Sequence, residues 1–229
     1  MQLARPTTQR SGFTLIELLI VISIITILAS VAIPNLLSSR ATANEAAIVG
    51  TLRTLATAQF KFKHMGLVDV NNDSSYEFGT MGEMCGRQLL RGTTTHLSPT
   101  VLSLKFGDVD SQGRMREHGY HIALFLPDAA GVGLPETAAS VASYDPVQCA
   151  DFCTIVAWPM TWGTSGKLTF FVNQLGEILK CDQGRYSGTT KVPAPGCALL
   201  GTASVNHING GELAVGTNGA DGYRWLPLN

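Results

Sequence analysis

The chain has 229 residues, 45% of them hydrophobic and 14% charged, and a formal net charge of −1. That length holds one folded domain with an anchor, or two small domains. No basic surface strong enough to imply nucleic-acid binding is visible.

Residues 1–12 form a short leader with Arg5 and Arg10 as its only charges, so its removal lowers the net charge by two, to −3. An apolar run then extends from Phe13 to Ile33, interrupted by one acid, Glu17. At about 1.5 Å rise per residue the run suffices for one membrane-spanning helix. Because the flanking charges are Arg5 and Arg10, the positive-inside rule keeps the leader cytoplasmic and exports the remainder. A carboxylate within such a run costs a few kcal/mol unless it finds a partner or reaches water.

The stretch Arg10-Ser-Gly-Phe-Thr-Leu-Ile-Glu-Leu-Leu resembles the prepilin leader and N-terminal helix of the type IV pilin and type II secretion pseudopilin superfamily. The resemblance is close over residues 10–34. It implies cleavage by a prepilin peptidase after Gly12, N-methylation of Phe13, and pairing of Glu17 with a neighbouring subunit's N-terminal amine. It also implies self-assembly into a helical filament, driven by an inner-membrane platform and a cytoplasmic ATPase. The residues themselves leave two other readings open. Glu17 could simply snorkel to the membrane surface. Residues 1–32 could act as a conventional signal peptide cut after Ser30-Val31-Ala32, releasing a soluble exported binding module.

The helix is expected to continue past the membrane through residues 35–65, spanning about 75–80 Å from Phe13 to His64. Ile48, Leu52, Leu55 and Phe62 fall on one face and should pack on a sheet. The small residues Ala41, Ala43, Ala46 and Ala47 allow close approach of a neighbour. Pro34 removes the hydrogen bond to the Ser30 carbonyl and should kink the helix. By the same resemblance, the helix around Pro34 can unwind locally in a filament.

Residues 66–229 form the exported domain. Asp69, Asn71, Asp73 and Glu77 resemble the start of a calcium loop, but the glycine after Asp73 is missing and Thr80 stands where a glutamate is needed. An Asx-rich turn is the competing reading, with calcium the one possible cofactor. A short helix is expected over Met81–Leu90. Strands are expected at His118–Leu126, Cys153–Trp158 and Lys167–Val172. Asn173-Gln-Leu-Gly-Glu then turns the chain into Ile178-Leu-Lys-Cys. From Asp182 onward turn formers dominate, with Trp225-Leu-Pro-Leu docking back.

All five cysteines (Cys85, Cys149, Cys153, Cys181, Cys197) lie in the part expected to be exported, where disulfides are permitted. Cys149 and Cys153 are disulfide candidates; their spacing could also suit a metal pair, but no second pair of Cys or His follows at ligand spacing. The resemblance implies a second disulfide, Cys181 with Cys197, closing a C-terminal loop as in many pilins.

No catalytic constellation emerges. Gly163-Thr-Ser-Gly is one residue short of a nucleophile elbow. Ser165-Gly-Lys167 is followed by Leu168 where a phosphate loop needs Ser or Thr. His118 and His121, three apart on an expected strand, would face opposite sides. The overall expectation is an α+β, pilin-like protein: leader 1–12, membrane and assembly helix 13–34, amphipathic continuation 35–65, and antiparallel-sheet domain 66–229. It would be a non-enzymatic filament subunit of a type II secretion pseudopilus or a type IV pilus-like filament, the pseudopilin type preferred and a minor or tip pilin with an adhesive role the alternative, single-pass in the inner membrane with the domain periplasmic.

Overall fold

The computed structural model describes residues 12–182 and 186–228, so the leader up to Ser11 lies outside the described residues. Helix α1 runs Leu15–His64 with Pro34 inside it. The chain divides into two units, one ending at Ser39 and one beginning at Arg40, and α1 contributes to both.

In the first unit, α1 has no core to join. From Gly12 to Ser39 every residue is exposed except Ala29, which is half-exposed. This follows from composition: the segment is apolar all round, so it has no polar face to turn to water.

In the second unit, α1 is amphipathic. Ile48, Leu52, Leu55 and Phe62 are fully buried, on the face expected from their spacing. Gln59, within that same stripe, is buried too. The N-terminal part of this segment is pinned by Asn44, which donates to the Ser165 carbonyl at 2.9 Å, and by Glu45, which accepts from Lys167 N–H at 2.7 Å and Leu168 N–H at 3.2 Å.

After α1 come α2 (Met81–Met84), α3 (Pro146–Asp151) and two short 3-10 turns. Helix α2 opens with a capping box: Thr80 Oγ1 accepts from Glu83 N–H, and Glu83 accepts from Thr80 N–H. It ends well before Leu90, because Gly86 takes φ +74° and turns the chain away.

Among the described residues, the main sheet has seven strands, all pairing antiparallel: β1 (Arg114–Glu117), β2 (Tyr120–Pro127), β3 (Gly133–Pro135), β4 (Thr154–Pro159), β5 (Thr169–Val172), β6 (Ile178–Cys181) and β9 (Leu226–Pro227). β1 and β3 share one edge of β2, and the order then continues β4, β5, β6, β9. β7 (Leu199–Leu200) and β8 (Glu212–Leu213) pair separately.

One strand boundary corrects the sequence reading. His118 is not in a strand with His121. His118 and Gly119 adopt φ of 47° and 73° and form the two-residue link between β1 and β2, the geometry favoured by the right-handed twist of a hairpin. β1 itself, Arg-Met-Arg-Glu, has only one apolar residue and gave no strand signal.

Both faces of the sheet are covered, and alternation sorts its residues. Ile122, Leu124, Ile155, Ala157, Phe170 and Val172 join α1 in the first core. Ala123, Phe125, Val156, Trp158, Phe171 and Leu179 point the other way into a second core. The chain beyond Tyr186 covers that second face with Cys197, Leu199, Ile208 and Trp225. Two-sided burial explains why β2, β4 and β5 read as continuous apolar runs instead of alternating ones.

Candidate functional site

The features that set this chain apart lie at its N-terminus. Gly12 and Phe13 precede α1 in non-helical conformation, and Phe13 is 84% exposed. A Cβ added at Gly12 would meet nothing within 4 Å, so the Gly12–Phe13 peptide is sterically open. The exposed apolar residues continue from Leu15 through Ile33, and α1 is long and apolar enough there to cross a membrane.

Glu17 occupies the third position of α1, and the structure gives it a role that sequence reasoning missed. Thr14 donates to Glu17 Oε2 twice, from its N–H at 2.8 Å and from its hydroxyl at 2.7 Å. Glu17 N–H donates back to Thr14 Oγ1 at 3.2 Å. This is a capping box, legible in the motif Thr-x-x-Glu directly before an apolar run. The carboxylate is therefore held beside the first turn, one residue from Phe13, and at the positive end of the helix dipole. Further along, Ser23 and Thr26 return their hydroxyls to the carbonyls of Leu19 and Ile22, so polar groups inside the apolar segment are satisfied within the helix.

In this structure the calcium-like loop bonds largely within itself. Asp69 accepts from the Asp73 and Ser74 N–H groups, Asn71 donates to Asp73 at 2.6 Å, and Asp73 accepts from Ser75 N–H at 2.7 Å. These are Asx-turn bonds. Glu77, the fourth candidate ligand, is turned inward: it is 1% exposed, accepts from Val70 N–H, and lies 3.0 Å from Arg91. Among the described residues, no group of three or more His, Cys, Asp or Glu is placed to hold a metal ion.

Arg91 instead organises a buried polar cluster. It pairs with Glu77 and Glu83, each at 3.0 Å, and donates to the Phe78 carbonyl. A third buried carboxylate, Glu136, accepts from Met81 N–H at 2.7 Å and Gly82 N–H at 2.8 Å. Burial, together with nearby Glu83 and despite those two bonds, pushes Glu136 up to about 7.

Cys85, Cys149, Cys153 and Cys197 are buried thiols in this structure. Cys149 and Cys153 lie in the first core, where Cys149 Sγ donates to the Pro127 carbonyl at 3.5 Å, and Cys181 and Cys197 lie in the second. Burial pushes the Cys149 thiol up to about 12 and raises Cys153 and Cys197 as well, which removes their nucleophilicity. His121, 2% exposed, stacks at 5.4 Å on Trp158, and burial and Arg114 hold it below the usual histidine range. His118 stands on the exposed turn beside Glu117.

A membrane-length apolar helix, opening with an acid in its first turn and leading into an antiparallel-sheet domain, defines an anchored, helix-led α+β protein of the pilin type. Residues 7–33 match the family described as "Prokaryotic N-terminal methylation motif". Over 64 residues, 28% of this chain, it is 50% identical to the "Type IV wide pilus major component PilA4" of Thermus thermophilus, of which the match covers 46%. Over 62 residues, 27% of this chain, it is 44% identical to the "Type IV major pilin protein PilA" of Myxococcus xanthus, of which 28% is covered. The chain thus matches less than half the length of either relative. No solved structure matches. Over its N-terminal segment the chain is thus similar to type IV pilins.

Proposed function

We propose that this chain is a structural subunit of a type IV pilus-like filament, not an enzyme. It is made as a precursor, cut between Gly12 and Phe13, and methylated on the new Phe13 amine. The observation that supports this best is the fully exposed apolar half of α1 carrying one carboxylate at its first turn. Such a surface is stable only in lipid or against other apolar helices, so the subunit passes from one to the other. In the membrane it waits as a single-pass protein with the sheet domain exported, in the inner membrane facing the periplasm. In the filament, equivalent helices pack together and Glu17 meets the Phe13 amine of a neighbour. That transfer requires prepilin peptidase, an assembly platform and its ATPase. We favour a pilus over a secretion pseudopilus because both relatives named above are pilus components.

Mass spectrometry of the mature N-terminus tests this reading. N-methyl-Phe13 is the expected first residue. A chain beginning near Ile33 would mean a conventional signal peptide and would overturn the proposal.

A further inference from the structure

The second unit presents an exposed tryptophan at the end where α1 enters it. The loop between β4 and β5 is placed there by Asn44 and Glu45, which bond to Ser165, Lys167 and Leu168. The opposite end of the unit holds the Asn173–Glu177 turn, where a Cβ at Gly176 would lie 3.3 Å from Phe60.

The loop is built tightly. Ser165 N–H donates to the Thr161 carbonyl at 2.9 Å, Gly163 N–H to Gly166 at 2.8 Å, and Thr161 N–H to Ser165 Oγ at 3.0 Å. Trp162 N–H donates to Ser187 Oγ at 3.0 Å, tying the loop to the segment that ends at Lys191. Yet this loop leaves the Trp162 side chain 47% exposed, with Met160, two residues earlier, also exposed. The other two tryptophans, Trp158 and Trp225, are fully buried. A large aromatic held out on an ordered loop has already met the entropic cost of binding something.

The charges around it indicate the occupant. Among the described residues, Arg40, Lys167 and Lys191 near this loop are exposed, and so is the acid Asp182. Glu45 is turned onto backbone N–H groups and Glu117 is paired with Lys105. Only Pro34 to Ser39 separate Arg40 from the end of the apolar run at Ile33.

We infer that Trp162 and Met160, flanked by Arg40, Lys167 and Lys191, form a docking surface for anionic phospholipid headgroups while the subunit is membrane-anchored. Trp is the residue suited to that depth, with an apolar body and a polar N–H. The neighbouring cations each gain from a negatively charged surface within a Debye length. The contact holds the domain against the bilayer before assembly and is released when the subunit leaves the membrane. This inference rests on the membrane-anchored reading above.

The test uses the full chain in vesicles of equal parts phosphatidylcholine and phosphatidylglycerol, the former brominated on its acyl chains near the headgroup. Trp162→Phe isolates the signal, since Trp158 and Trp225 contribute the same background to both proteins. The expected result is bromolipid quenching of the Trp162 component, greatly reduced by high salt or by Lys167→Glu with Lys191→Glu. Carbonate extraction of the same vesicles reports anchoring. Protein extracted by carbonate defeats the anchored reading and this inference with it. Anchored protein with Trp162 unquenched by bromolipid but quenched by aqueous acrylamide overturns the inference alone. Protection from acrylamide that disappears on lowering the protein-to-lipid ratio means a second copy covers Trp162, which also overturns it.

Discussion

Gln59 holds both backbone groups of Gly79: its side-chain nitrogen donates to the Gly79 carbonyl at 2.7 Å, and its oxygen accepts from Gly79 N–H at 3.0 Å. The pair ties α1 to the segment that carries the Arg91 cluster. Gln59→Leu preserves the apolar stripe but leaves two buried backbone groups unpaired. We expect a loss of about 1–3 kcal/mol by urea denaturation. Gly79→Ala tests the same junction sterically, because a Cβ there would lie 2.6 Å from the Phe62 ring. With Phe62 fully buried, overpacking of about 1–3 kcal/mol is expected, and an unchanged midpoint would show that the ring can move aside.

Arg91 pairs with two buried carboxylates, Glu77 and Glu83. Arg91→Met leaves Glu77 and Glu83 buried without their partner, a change that typically costs about 3–5 kcal/mol. The double change Arg91→Met with Glu83→Gln should recover part of that loss. If the single and double variants melt together, the pairs contribute nothing to folding.

Glu136 predicts the sign of a pH dependence. Its folded-state value, about 7, lies above the ordinary 4.5, so the folded protein binds the proton more tightly than the unfolded chain. The Glu136 contribution to stability is therefore complete below about 4.5 and is lost as pH rises through about 7. Glu136→Gln should remove that slope while costing one hydrogen bond at every pH. Denaturation midpoints measured from pH 4 to 8 on both proteins check it. An identical slope in the variant would assign the effect to another group.

Glu17 has two candidate jobs, capping α1 with Thr14 and pairing with a neighbour's amine, and they respond differently to substitution. Gln serves a capping box as well as Glu does, but carries no charge. We expect Glu17→Gln to retain helix capping and cleavage after Gly12 yet lose most filament yield, as Glu17→Ala should. Filaments at the normal level from Glu17→Gln would leave only the capping role. Thr14→Val should weaken the cap and leave assembly largely intact.

How much was legible in the sequence differs sharply between the two units. The first is governed by composition and short-range order. An apolar run from Phe13 to Ile33 with one acid, Glu17, reads as a helix for lipid or a bundle, because its backbone must satisfy itself there. Its signals (Gly12-Phe13, Thr-x-x-Glu, the two arginines) need no long-range contact to be read. The stripe Ile48, Leu52, Leu55, Phe62 was equally plain, being a matter of spacing alone.

What only the tertiary structure decided concerns groups whose role depends on distant partners. Glu77 looked like a calcium ligand beside Asp69 and Asp73, but Arg91 draws it inward. His118 looked like strand, but β1 pairs with β2 and makes it the hairpin turn. Cys149 with Cys153 and Cys181 with Cys197 were the candidate pairs, and the fold places the first pair in one core and the second in the other, on opposite faces of one sheet. The sequence by itself determined the helix and its apolar surface, since these follow from periodicity over neighbouring residues. The destinations of the buried charges and thiols, and the exposure of Trp162 alone among the three tryptophans, were settled by contacts between residues far apart in the chain, which no local pattern encodes.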